Sequence, residues 1–272
     1  VKVNDSPPEL GSDATREQEL WPRLLALAMS GRDEGQAPDD PFWRLYAPIA
    51  LGRGALGRAE PTFVVGQLGQ SIDGRIATAT GHSHYVNGPE TIVHLHRLRA
   101  LVDAVVVGIG TVLADDPRLT VRHVQGRNPA RVVIDPKGRL PAKARLIEEP
   151  GAPVYAIQTA DHRRPPGVVA VTLPAKAGRI DPHAIVRALA DRGLKRLLIE
   201  GGADTLSSFL AAGTVDRLHI AVAPLLIGSG VTGIALPPID RLDEALRPKV
   251  TLHRLGADAL FDCTLIRKTA SA

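Results

Sequence analysis

Two short segments of this chain carry residue types that can do chemistry together. In the first, Gly108-Ile109-Gly110-Thr111-Val112-Leu113-Ala114 leads into Asp115-Asp116-Pro117, and Leu119-Thr120-Val121-Arg122 closes the run. A carboxylate at such a place can orient a hydroxyl group or exchange a proton, and adjacent carboxylates disfavour each other's ionisation. Arg122 and Arg99 are natural clamps for phosphate or carboxylate, because a guanidinium binds such groups bidentately. In the second segment, Glu200-Gly201-Gly202-Ala203-Asp204-Thr205 follows an apolar run. A glycine pair lets a ligand approach the backbone and aims the free N–H groups of the next helix at it. Gly202, Ala203, Asp204 and Thr205 would form a phosphate cradle. Each feature has a plain explanation when taken singly: a solvated turn, a tight connection, a surface arginine. Glu200 shifts the balance, since ligands in open α/β sheets gather at the carboxyl ends of strands.

The surrounding pattern supplies the elements that hold these residues. Thr62–Leu68, Ala104–Gly108, Arg131–Ile134, Val154–Ile157, Val168–Leu173 and Arg196–Ile199 read as strands. Helical patterns alternate with them: one opens at Asn87-Gly88-Pro89 with a stripe of Ile92, Leu95, Leu98 and Val102. Another is capped by Asp181-Pro182 and ended by Gly193, and a third runs from Ala203 to Ala212. After Arg217 the pattern changes to strands, at Arg217–Ile227, Val250–Leu255 and Ala259–Ile266, with a hairpin connection at Gly256-Ala257-Asp258. The expectation is an α/β fold with a mainly parallel central sheet, antiparallel C-terminal strands and helices on both faces. Residues 1–60 read as an N-terminal extension, partly helical over Thr15–Met29 and partly loop-like, packed on a main domain of residues 61–272; a cover over a ligand site is the second reading.

Composition narrows the function class. The chain has 272 residues, a formal charge of +4, 3% aromatics and one cysteine, Cys263. So few aromatics argue against a base-stacking nucleic-acid platform, and the mild charge suits anionic metabolites without implying DNA or a membrane. One cysteine excludes an internal disulfide framework and a Cys-rich zinc site. No apolar run reaches membrane-span length, and the N-terminus lacks the order of a signal peptide, so a cytoplasmic location is expected. His82 and His84 share a face of an extended segment, but no third ligand is evident, and no metal is expected.

The motifs as a set resemble the reductase domain of the bifunctional riboflavin-biosynthesis deaminase/reductase. The resemblance rests on Thr111 to Pro117 with Leu119 to Arg122, on Ser71-Ile72-Asp73-Gly74-Arg75, on Val133-Ile134-Asp135, on Glu200-Gly201-Gly202 and on Ala223-Pro224-Leu225-Leu226-Ile227-Gly228. These stand in the family's order over about residues 61 to 267. It implies a dihydrofolate-reductase-like fold, usually homodimeric, and an NADPH-dependent oxidoreductase, leaving NADH open. The implied substrate is a phosphorylated ribosylaminopyrimidine, whose ribosylamino chain is reduced to ribitylamino by hydride transfer to C1′. The resemblance places Ser83, Arg99, Leu119, Arg122 and Glu200 at substrate contacts. It places Thr111, Asp115 and the run Gly202, Ala203, Asp204, Thr205, Leu206, Ser207 and Ser208 at cofactor contacts, with Gly110 and Gly201 beside them. Gln70 and Tyr85 fall on the cofactor side, where the family more often has Ala or Gly and Trp. Asp115, Asp116 and Glu200 are the catalytic candidates.

The chain also departs from the family. Pro136 replaces a frequent serine after Val-Ile-Asp, Arg163 and Arg164 are charge candidates for a 2′-phosphate, and His84-Tyr85-Val86-Asn87 differs from the usual substrate-side loop. The deaminase half is missing, because its zinc signature needs cysteines this chain lacks. A reductase of a pterin-like heterocycle and a non-catalytic nucleotide-binding module are the alternative readings.

Overall fold

A computed structural model describes residues 9–10, 14–32, 35–52, 62–84 and 86–265. Tyr85 therefore lies outside the described residues. In chain order the elements are β1 (Glu9–Leu10), α1 (Ala14–Ser30), α2 (Pro41–Leu51), β2 (Phe63–Ser71), β3 (Arg75–Thr78), α3 (Pro89–Leu101), β4 (Ala104–Gly108), α4 (Ile109–Asp115) and β5 (Ala130–Ile134). They continue with α5 (Arg145–Glu148), β6 (Val154–Gln158), β7 (Val168–Thr172), β8 (Ala175–Lys176), β9 (Arg179–Ile180), α6 (Pro182–Ala190), β10 (Arg196–Glu200) and α7 (Ala203–Ala211). The last four are β11 (Arg217–Ala223), β12 (Gly230–Thr232), β13 (Lys249–Leu255) and β14 (Asp258–Thr264).

The main sheet has the order β1-β13-β14-β11-β2-β10-β4-β5-β6-β7. Strands β11, β2, β10, β4, β5, β6 and β7 are parallel, while β14 runs antiparallel to both β11 and β13. This is the mainly parallel sheet with antiparallel C-terminal strands that the sequence predicts. The central strands are apolar on both faces because both faces are covered. Val65, Val105, Val107, Val133 and Leu198 join a core with Leu20, Leu24 and Leu27 of α1, Leu45 and Ile49 of α2, and Leu98 and Leu101 of α3. Their neighbours Val64, Val106, Val132, Leu197 and Ile199 pack on the other face with Ile185 and Leu189 of α6 and Leu206, Phe209 and Leu210 of α7. Each such large apolar side chain contributes roughly 1.5–3 kcal/mol by leaving water.

Four places differ from the sequence-based expectation. Helix α2 falls where the sequence reads as loop-like extension. Asp40 caps it by accepting from the Phe42 and Trp43 amides, and its burial on nearly all sides joins it to the sheet's core. Strand β11 stops at Ala223 rather than Ile227, where Pro224 removes the next backbone donor. Arg75–Thr78 and Gly230–Thr232 pair as a small separate ribbon. Finally, α3 buries His94, His96 and Arg99, while Ile92 is 41% exposed and Leu95 half-buried. The predicted apolar stripe is thus partly replaced by polar groups.

The sheet beneath α3 explains that replacement. Register places Glu200 of β10 beside Gln67 of β2, Gln67 beside His219 of β11, and His219 beside Asp262 of β14. Residues level with one another on neighbouring strands share a face, so a polar row crosses the sheet under α3. Buried polar groups need partners, and α3 supplies them with Arg99 for Glu200 and His94 for His219.

Candidate active site

The site is built where β10 and β4 end, beside Gln67–Gly69 in the second half of β2. A cavity of about 490 Å³ opens there. Its floor is Gln67, Leu68 and Gly69 of β2, and one wall is Asn87, Thr91, Ile92 and Leu95 at the start of α3. Thr111 and Asp115 of α4 and the Gly201-Gly202 turn close the other side, and Ile76, Ser83, His84 and Val86 complete the rim.

The glycine turn has the geometry that the sequence requires of it. Gly201 and Gly202 both have φ +62°, a left-handed backbone that glycine adopts without a Cβ penalty. Helix α7 then begins with no side-chain cap, so its first N–H groups remain available for an anion. A Cβ on Gly202 would lie 3.1 Å from the Thr111 hydroxyl, so the bare backbone keeps the approach open beside Thr111. Thr205, on the first turn of α7, uses the bare backbone of Gly108 in the same way: a Cβ there would sit 2.5 Å from its Oγ1.

Behind this turn, Glu200 and Arg99 form a bidentate pair. Arg99 Nε and Nη2 donate to Oε1 and Oε2, each at 2.7 Å, and Nη1 donates to the Thr120 carbonyl at 3.1 Å. Both residues are only 6% exposed. A buried pair of this kind is tolerated when geometry and extra hydrogen bonds satisfy it. Leu119, 2% exposed, reverses the chain with φ +57°, a conformation costing a non-glycine residue about 1–3 kcal/mol. The next residue, Thr120, accepts from Arg99 through its carbonyl and from Arg122 through its hydroxyl, at 2.7 Å.

Arg122 is exposed, and its backbone N–H donates to His96 Nδ1 at 2.9 Å. Its guanidinium sits below the usual arginine range because of partial burial and then the repulsion of Arg99 and Arg118, with Arg145 adding to it. Burial, with the charges of Arg99 and Arg122, pushes His96 down to about 3. Arg99 and Arg118 are paired with Glu200 and Glu149, so Arg122 carries the charge most suited to a bound anion here.

The two aspartates are separated in space. Asp115 faces the cavity. Asp116 adopts φ +40° and its Oδ1 accepts from the Arg145 amide at 2.9 Å, so the expected pair does not share one site. Other candidates also sit apart from the cavity wall. Gly110 is exposed on α4. Gln70 is half-buried, with its side chain packed near Gly233. Along α7, Ala203, Thr205 and Ser208 are half-exposed and Asp204 is exposed. Leu206 is wholly buried in the core, and Ser207 Oγ accepts from the Ala235 amide at 2.9 Å. These two side chains serve packing, which the linear run does not reveal.

Arg163 and Arg164 border a separate depression at the end of β6, where Arg164 pairs with Asp161 at 2.7 Å. The rings of His82 and His84 meet edge to face with centroids 5.9 Å apart. No group of three or more His, Cys, Asp or Glu side chains able to hold a metal occurs among the described residues. The motif Ser71-Ile72-Asp73-Gly74 proves to be a brace. Asp73 accepts from Ser71 Oγ and from the Ile227 and Gly228 amides, which hold its carboxyl down at about 2.

Gln67, Gly69, Asn87 and Thr91 were missed. Gln67 and Asn87 stand inside motifs read only as a strand and a helix start. Only the register with Glu200 and the packing of α3 bring them to the cavity.

A mixed sheet with a glycine-turn cleft at its parallel strand ends defines the general class, an α/β fold with its cleft at the carboxyl ends of the strands. The match to known sequences defines the family. Residues 62–258 match the RibD C-terminal domain, and the chain belongs to that family. It is 35% identical over 215 residues, covering 75% of this chain and 98% of the relative, to the 2,5-diamino-6-ribosylamino-4(3H)-pyrimidinone 5′-phosphate reductase of Methanothermobacter thermautotrophicus. It is 33% identical to the riboflavin biosynthesis protein RibD of Escherichia coli, covering 76% of this chain and 64% of that protein. Among solved structures, the Thermotoga maritima diaminohydroxyphosphoribosylaminopyrimidine deaminase/5-amino-6-(5-phosphoribosylamino)uracil reductase aligns with a TM-score of 0.66 and 28% identity. That alignment covers 75% of this chain and 57% of the Thermotoga chain. Among the described residues, no helix is long and apolar enough to cross a membrane.

Proposed function

We propose that this protein reduces a 5-phosphoribosylaminopyrimidine of the riboflavin-pathway type, with NADPH as the reductant. The observation that carries the reading is the shared cavity. An uncapped glycine turn suited to a nucleotide phosphate lines the same space as Asp115, Ser83 and the start of α3. The names of the relatives supply the substrate class.

The residues present fit a nicotinamide dinucleotide, because the left-handed Gly201-Gly202 turn leaves room for a phosphate that a Cβ would take. NADPH, when bound, supplies the hydride that adds to C1′ of the opened ribosylamino chain, while a proton goes to the attached nitrogen. The α7 N-terminus and Gly202 would hold the pyrophosphate, with Thr111 beside it. Asp115 would orient a hydroxyl or move the proton. Arg122, among Arg99, Arg118 and Arg145, would clamp the substrate phosphate. Glu200, fixed by Arg99, would set the position of the substrate. Holding two reactants in this geometry is most of the catalytic task. A homodimer in the cytoplasm completes the reading, and light scattering in solution tests the dimer.

The deciding experiment follows NADPH oxidation with the deaminated ribosylaminouracil phosphate, its undeaminated analogue and dihydropterins. Turnover of either pyrimidine phosphate supports the proposal. Turnover of dihydropterins alone moves the substrate to a pterin-like ring. Binding of NADPH without any turnover makes the protein a nucleotide-binding module, and absence of NADPH binding overturns the reading.

A further inference from the structure

One wall of the cavity is held in a fixed orientation by a residue far away in sequence. Asn87 Nδ2 donates to the Ala221 carbonyl at 3.2 Å and to Asp258 Oδ2 at 3.1 Å. Both are acceptors only, so the two ends of the Asn87 amide cannot exchange. Its Oδ1 must then point the other way, over Gly69. A Cβ on Gly69 would sit 1.9 Å from that oxygen, a distance no side chain can survive, so glycine is needed there. Asn87 and Gly69 both line the cavity. No hydrogen bond reaches Asn87 Oδ1 from any described residue, and the atom is not sealed in the interior.

Asp258, 2% exposed, is the anchor of this arrangement. Its Oδ2 also accepts from the Gly88 amide at 2.9 Å and from Thr91 Oγ1 at 2.6 Å. It thereby braces the start of α3, whose N-cap residue is Gly88. The hairpin β13–β14 thus sets the rotation of Asn87 at the mouth of α3.

We propose that Asn87 is a specificity-determining residue: its Oδ1, locked by Asp258, accepts a hydrogen bond from an N–H carried by the planar ring bound in the cavity. This rests on the function proposed above. An amino or ring N–H of the pyrimidine and the carboxamide N–H of the nicotinamide offer the same donor chemistry, and the test separates them.

The dissociation constants of the pyrimidine phosphate and of NADPH are measured separately by calorimetry, on wild type, Asn87→Ala and Gly69→Ala. Removing a fixed acceptor from a buried N–H donor weakens binding about tenfold or more. The expected result is that loss for one ligand in both variants, with the other ligand unchanged and the melting temperature of at least one variant kept. Loss confined to the pyrimidine phosphate assigns its ring as the donor, and loss confined to NADPH assigns the nicotinamide. A folded Asn87→Ala or Gly69→Ala protein that binds both ligands as wild type does overturns the proposal. So does equal loss for both ligands, which would mark a collapsed wall. A wild type that binds both ligands without turnover defeats the proposed function but still runs this test; one that binds neither defeats both.

Discussion

The polar row under α3 ends in two carboxylates held in the same way and exposed to different surroundings. At one end Arg99 grips Glu200 bidentately; at the other Arg217 grips Asp262 through Nε at 2.6 Å and through Nη2. Both pairs are buried. Glu200 is followed by two left-handed glycines and an uncapped helix. Asp262 lies in the middle of β14 with His219 Nε2 at 3.3 Å and His253 Nε2 at 3.8 Å. His219 Nδ1 in turn meets His94 Nε2 at 3.0 Å, and His94 Nδ1 meets the Tyr46 hydroxyl at 2.7 Å. Burial pushes that hydroxyl up to about 12. A buried arginine–carboxylate pair is therefore no sign of a site by itself. What surrounds it differs: an open glycine turn marks the end proposed to bind substrate, and a closed histidine chain marks the other.

The largest expected effect breaks the Glu200 end. Glu200→Gln should lower kcat/KM by about a hundredfold or more, near 2.7 kcal/mol of transition-state stabilisation. Steady-state kinetics on protein of verified fold checks it. The matching change at the other end, Asp262→Asn, strands Arg217 and should cost about 3–5 kcal/mol of stability in urea unfolding. The folded fraction should keep kcat/KM within about threefold, as expected for groups outside the site. If the two variants behave alike, the contrast is wrong.

Acid should act first through the buried histidines, with His96 beside Arg122 among them. Burial holds His94 and His219 below the usual histidine range, with their neighbouring charges adjusting the result. The unfolded chain then takes up protons that the folded one refuses. Stability is complete above the unfolded value near 6.5 and falls as pH drops below it, by up to about 1.4 kcal/mol per pH unit for each histidine. Asp262 acts in a lower window. Burial works to raise its carboxyl, but the hydrogen-bonded Arg217, with His219 and His253 beside it, outweighs this and depresses it. Its contribution is present above about pH 4 and is lost only below that. Urea midpoints at pH 7.5, 6 and 5 test the histidine window, and a flat profile would contradict neutral buried histidines.

Smaller effects sharpen the Glu200 end. Arg122→Ala should raise KM for the phosphorylated substrate about tenfold with kcat little changed, since it removes uniform binding. Asp115→Asn should lower kcat about tenfold or more, in the range of a lost proton-transfer or orienting group. Asp116→Ala should leave kcat within about twofold and cost on the order of 1 kcal/mol of stability, because it removes the acceptor of the Arg145 amide. Equal kinetic effects of the two aspartate variants would restore them as a pair.

Much of the sheet could be read directly. Runs such as Ala104–Gly108 and Arg196–Glu200 are apolar on both faces because helices cover both, so continuous hydrophobicity marked them. The glycine turn was legible too, since Gly201-Gly202 follows a strand and precedes a helical pattern. Helix α4 was not, because Gly108-Ile109-Gly110 looks like a turn until Ile109 and Val112 find the core. The partner of Glu200 lies 101 residues away, and no local signal links them. The same is true of Asn87, whose orientation is set by Asp258 across 171 positions. Tertiary register, rather than spacing along the chain, assembled the polar row, and that row replaced the expected stripe on α3.

The central claim is that the Glu200 end of the row, with its glycine turn and Arg122, receives the substrate. A crystal structure with the pyrimidine phosphate and oxidised NADP bound tests this most directly. The pyrophosphate is expected at the Gly202–Thr205 turn, the substrate phosphate at Arg122 and the substrate's sugar or ring in contact with Glu200. A substrate bound elsewhere, with the Arg99–Glu200 pair untouched and sealed like Arg217–Asp262, would contradict it.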